Sequence, residues 1–196
     1  MYYWLAISIN HSTHLFKFIM IKESLLKSSL QELSICQHLS TKFDASQADW
    51  RPRENMRSTV ELMQYLTYIG GTMTTHFINP PVDHEEGRLK YRANAKLSAD
   101  SMTFENFSEW IEREKTEITK AFATITDSDL SRMTYHMFSG DETTLFEALL
   151  TVNKYLCAYR QQLFLYAKMC GANINTRNNW YGIDAQPAPV KQTVAA

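Results

Sequence analysis

Apolar residues recur at helical spacing through most of the chain. From Ile21 to Leu39 the positions Ile21, Leu25, Leu26, Leu30, Leu33, Cys36 and Leu39 form one stripe, as expected of a helix with one buried face. A loop follows in which Pro52 biases Arg51 away from helical geometry. A second helix is predicted from Arg57 or Ser58, with Leu62, Met63, Leu66, Ile69 and Met73 as its apolar face. Ser58 and Glu61 have the spacing of a capping box, and Glu61 reads as a cap in preference to a catalytic base. Gly70-Gly71 weakens the middle of this helix and predicts a kink there, and Asn79-Pro80-Pro81 ends it.

Val82 to Asp100 is polar and aperiodic, and reads as a long loop with short local structure at most. The third helix is predicted from about Thr103 to about Ile125. Phe104, Phe107, Ile111, Ile118, Phe122 and Ile125 lie on its inner face, and Glu109, Glu112, Arg113, Glu114 and Lys115 on its solvated one. After a turn-rich piece with a helical turn over Ser128 to Met133, the fourth helix is predicted from about Thr143 to Cys170. Leu145, Leu149, Val152, Leu156, Leu163 and Ala167 trace its stripe, and Gly171 supplies the stop. No strand-like alternation of useful length occurs. Helix packed on helix is the architecture these patterns support: all-α, a four-helix bundle with a long connection between helices 2 and 3.

Composition narrows the function classes. The 196 residues suffice for one well-buried core, and a 44% hydrophobic, 21% charged balance is that of a globular protein. A formal net charge of -1 without a basic stripe argues against nucleic acid as a partner. Cys36, Cys157 and Cys170 are odd in number and irregularly spaced, which suits core filling in a reducing cytoplasm better than a disulfide framework. The apolar N-terminal stretch lacks the basic start and small-residue cleavage site of a signal peptide. Its Tyr2–Ile9 run is far shorter than the roughly 20 residues of a membrane span. It reads as an extension over residues 1–19 that packs on the bundle or docks on a partner or membrane surface. The bundle then occupies 20–171 and a tail 172–196, loosely held after Trp180.

Two segments carry a family signal. One is Trp50-Arg51-Pro52 followed by the run from Arg57 to Leu66, and the other is Ser139-Gly140 followed by Tyr155-Leu156-Cys157-Ala158-Tyr159-Arg160-Gln161-Gln162-Leu163 and Gly171. In order and spacing they resemble the DinB/YfiT-like superfamily. Its second helix reads roughly S-x-x-E-L-x-x-H-L and its fourth roughly H-x-x-x-H-R-x-Q-L. The resemblance implies a three-histidine site for a divalent metal, homodimerisation, and in some members thiol-dependent transferase or isomerase activity. Carried over residue by residue, the three ligand positions fall on Tyr65, Tyr155 and Tyr159.

That replacement changes the chemistry expected. A phenol with a reference pKa of about 10 must lose its proton to bind metal well, whereas neutral imidazole is ready at pH 7. Three phenolates also carry more charge than a divalent ion, and a hard trivalent ion such as ferric iron would tolerate them better. His76 lies eleven residues beyond Tyr65, about 16 Å along an unbroken helix, and no two histidines share a clear helix at i, i+3 or i+4. The expectation is therefore no metal, no cofactor and no catalytic residue. Tyr65, Tyr155 and Tyr159 either fill the former metal cavity as core aromatics or line a pocket for a small molecule. Arg160 and Gln161, which follow the family motif, are expected to hold helix-helix contacts or a loop and not to carry chemistry. The competing reading is a diverged metal-dependent hydrolase or thiol-dependent transferase.

Overall fold

The computed structural model describes residues 21–80, 84–136 and 141–184. The first helix, α1, spans Ile21–Ser40, and a short 3-10 turn over Ala45–Gln47 leads into the loop before α2 (Thr59–Leu66). Then come α3 (Ile69–Ile78), α4 (His84–Ala99), α5 (Phe107–Ala123) and α6 (Asp127–Arg132). Strands β1 (Thr134–His136) and β2 (Glu142–Thr144) pair antiparallel, with Tyr135 opposite Thr143, ahead of α7 (Leu145–Met169) and α8 (Thr176–Tyr181). Helices α1, α3, α5 and α7 close a four-membered ring: α1 packs on α5 and α7, and α3 packs on the same two. The chain is an all-α bundle whose second helix is split into α2 and α3. Among the described residues no helix is long and apolar enough to cross a membrane.

The predicted stripes supply the core. Leu33, Cys36, Leu39, Leu62, Leu66, Ile111, Ile118, Leu145, Leu156 and Leu163 are all fully or almost fully buried. Local capping follows the sequence. The Ser58 hydroxyl accepts the Glu61 N–H and the Glu61 carboxylate accepts the Ser58 N–H, while Thr144 and Glu147 repeat the arrangement at α7. Gly171 ends α7 with φ of 91°, a left-handed conformation that glycine adopts without steric cost.

Four expectations need correction. The stretch read as a loop between helices 2 and 3 contains the 16-residue α4. It shows no stripe because it is barely buried: Leu89, Tyr91 and Leu97 are exposed, so residues of good helix propensity form it without a core-facing period. The interruption of the second helix falls at Thr67-Tyr68, ahead of the glycine pair. Glu114 is in the core, 5% exposed, where the sequence reading placed it in solvent. Its carboxylate accepts the Gly71 N–H at 2.6 Å, satisfying a donor that the helix break leaves free at the start of α3. A Cβ at Gly71 would come within 2.7 Å of that carboxylate, so the glycines there make room for an acid. Finally, the segment after Gly171 forms α8, docked on α1 and α7. Residues 1–19, expected to form an extension, lie outside the described residues, as does the tail beyond residue 184.

Candidate functional site

The loop ahead of α2 is held from three directions. Thr59 N–H donates to the Trp50 carbonyl and Val60 N–H to that of Ala48, both at 2.9 Å, so the loop folds onto the helix it precedes. The buried Tyr166 of α7 donates its hydroxyl proton to the Arg57 carbonyl at 3.0 Å, accepts from Gln162 at 2.8 Å, and packs edge-on against the Trp50 ring. These contacts fix Arg57 immediately before the Ser58 cap. Its guanidinium lies over the Tyr65 ring, 4.2 Å from the centroid, and 5.7 Å from that of Tyr159.

Two of the three tyrosines singled out in the sequence meet. Tyr65 on α2 and Tyr159 on α7 pack with ring centroids 4.7 Å apart and an interplanar angle of 61°. Tyr65 is 7% exposed, and Tyr159 is half-buried against the core. Tyr155, one turn earlier on α7, is 41% exposed and is not brought into this cluster. Tyr68 takes the third aromatic place, edge-on to Tyr65 with centroids 5.3 Å apart.

Burial and the neighbouring Tyr159 hydroxyl push the Tyr65 phenol well above its ordinary value, while Arg92 and Arg57 oppose the shift. Tyr68 is raised by burial too, again against Arg92 and Arg57. Two guanidiniums, from the loop and from α4, therefore bear on the same two phenols. A cleft of about 510 Å³ opens beside them, lined by Arg57, Tyr65, Tyr68, Arg92 and Lys96 and flanked by Arg51 and Glu61.

The histidines are dispersed. His38 contacts Asn178 at 3.1 Å and Asp184 at 3.5 Å near α8, and burial, then Lys42, lowers its pKa. His76 is on α3, His84 opens α4, and His136 ends β1, while His11 and His14 fall outside the described residues. Among the described residues no three His, Cys, Asp or Glu side chains gather as a metal-binding group. Arg57, Tyr68 and Arg92 escaped the sequence reading. Tyr68 was within reach of it, three residues past Tyr65 at helical spacing, but Arg92 sits in the segment read as a loop.

Arg160 and Gln161 have the helix-holding part expected of them. Arg160 is 1% exposed, ion-paired to Glu32 of α1 and bonded to the Asn179 carbonyl at 2.7 Å, while Gln161 accepts from the Asn179 side chain at 2.8 Å.

No protein-family model matches the chain, and no curated protein matches it. Among solved structures it is similar to a DinB-like protein (YjoA) from Bacillus subtilis. The TM-score is 0.57 at 16% identity, over 76% of this chain and 92% of that one. The fold is DinB-like. At this identity the likeness speaks for the DinB-like bundle alone, and the chemistry has to be argued from the side chains.

Proposed function

We propose that this chain is a metal-free, non-catalytic DinB-like protein that binds a small molecule beside the Tyr65–Tyr159 pair. The observation that carries this is the Arg57 guanidinium 4.2 Å over the Tyr65 ring. A divalent cation held there would need phenolates. Burial makes deprotonation of Tyr65 harder, and a fixed positive charge already lies against its ring. The donor set, phenols packed under a guanidinium, does not fit a divalent metal. It suits a pocket whose hydroxyls and cations orient a ligand. A homodimer, a cytoplasmic location and the division into 1–19, 20–171 and 172–196 complete the proposal, on the strength of the resemblance and the composition.

Elemental analysis of the purified chain tests it. The expected result is no stoichiometric metal, and no visible phenolate-to-metal absorption. A stoichiometric ion that disappears in a Tyr65→Phe, Tyr159→Phe double variant would instead establish the diverged metalloenzyme reading. Light scattering of the same sample reports the oligomeric state.

A further inference from the structure

We propose that the cleft between the loop ahead of α2 and α4 binds the oxyanion group of a small ligand, a phosphate or a carboxylate, between Arg57 and Arg92. The inference rests on the ligand-binding reading above and names the chemistry of the ligand.

At about 510 Å³ the cleft has the size of a small-molecule site. Its charge is distributed unevenly. Arg51, Arg57, Arg92 and Lys96 line it together with Glu54, Glu61 and Asp100. Glu61 is already committed: it accepts the Ser58 N–H at 2.7 Å and pairs with Arg51 at 3.5 Å. Arg51 and Glu61 therefore offset each other. Arg57, Arg92 and Lys96 have no carboxylate at ion-pair distance among the described residues.

Arg57 rests against the Tyr65 ring, and a guanidinium held on an aromatic face can still donate from its N–H edge. Such an edge matches the two oxygens of a carboxylate or phosphate. Arg92 lines the same cleft from α4, and both guanidiniums bear on both phenols. Burial opposes ionisation of Tyr65 and Tyr68, so neither sets a negative charge against an anion, and the Tyr65 hydroxyl is bonded to that of Tyr159. Two cations and two uncharged phenols from three separate chain segments thus line one opening. An anion is the ligand that satisfies them together. Set against Glu54 and Asp100, the remaining cations Arg57, Arg92 and Lys96 still leave the opening a positive balance, which favours an anion over a neutral or cationic ligand.

The test is calorimetric titration of the full chain with phenyl phosphate, benzoate and phenol. Saturable binding of phenyl phosphate or benzoate, weakened by added salt and not shared by phenol, is the expected result. The tighter of the two anions identifies the oxyanion. Arg57→Gln and Arg92→Gln should each weaken that binding by about tenfold or more, the loss expected when a charged hydrogen-bond partner is removed. Arg51→Gln, whose charge is already matched, should change it less than either. Arg92 is exposed on α4, so its variant leaves the bundle intact even if Arg57→Gln disturbs the loop. Binding of neither anion, or anion binding unchanged in the folded Arg92→Gln variant, overturns the inference. Metal content measured on the same sample separates the two claims. A metal-loaded chain contradicts the metal-free reading, and a metal-free chain that ignores both anions contradicts the inference alone.

Discussion

Arg160, on α7, and Arg57, whose carbonyl is held by Tyr166 of the same helix, both contact aromatic rings and are used in opposite ways. Arg160 is buried to 1% exposure, with its guanidinium divided among Glu32, the Asn179 carbonyl and side chain, and the Cys157 sulfur, and with Trp180 near its face. Four of its five N–H groups have partners, and its product is structural: α1, α7 and α8 meet on it. Arg57 rests on the Tyr65 ring without a carboxylate partner among the described residues, at the mouth of a cleft. The difference is that burying a cation demands that all its partners be built in, whereas a half-buried one can be left open for a ligand.

The contrast can be broken most forcefully at Arg160. Arg160→Leu leaves Glu32 without its partner and strips α8 of its anchor, and should cost about 3–5 kcal/mol in chemical denaturation. If the loss is under about 1 kcal/mol, the buried network is not what joins these helices.

Glu114 extends the contrast to a buried acid held by backbone N–H groups and not by a counter-charge. Burial raises its pKa to about 7 from the ordinary 4.5, against the Gly71 and Gly70 amides, which favour the charged form. The folded chain therefore keeps this proton over a range where the unfolded chain has lost it. Stability should fall as pH rises from about 4.5 to about 7 and level off above, by about 3 kcal/mol in all. Glu114→Gln should remove that slope in urea titrations run across the window. A slope that persists in the variant would assign the effect to another group.

Gly71→Ala probes the same contact from the other side. The added Cβ would meet the Glu114 carboxylate at 2.7 Å, a clash expected to cost about 1–3 kcal/mol. In a Glu114→Ala background the penalty should shrink, which thermal unfolding of the double variant would show.

The smallest stability effect belongs to Arg57. Arg57→Gln should change unfolding free energy by less than about 1 kcal/mol, the scale of an exposed cation–π contact, while abolishing most anion binding. A large stability loss without a binding loss would make Arg57 a second Arg160.

Much of the bundle was legible because its core-facing residues repeat at helical spacing, from Leu33 and Cys36 to Leu156 and Leu163. The caps at Ser58 and Gly171 were legible because their chemistry is local. What escaped did so for identifiable reasons. Helix α4 has little buried surface and hence no stripe. Glu114 sits three residues after Ile111 and four before Ile118, a core position that its charge disguised. Tyr155 shares the i, i+4 spacing with Tyr159, yet a helix turns about 40° over four residues beyond a full turn. That rotation carries Tyr155 further from the Leu156–Leu163 stripe than Tyr159, and into solvent. Tyr65 and Tyr159 could be paired from the sequence only through the family resemblance, and Arg92 not at all, since its approach depends on the tertiary placement of α4.

If the Tyr65–Tyr159–Arg57 cluster stands in place of a metal site, as proposed, then offering the ion should leave the chain unloaded. The full chain would be incubated with equimolar zinc, desalted and analysed for bound metal beside a Tyr65→Phe, Tyr159→Phe variant. Neither is expected to retain zinc. Stoichiometric retention by the unaltered chain and loss in the variant would contradict the proposal.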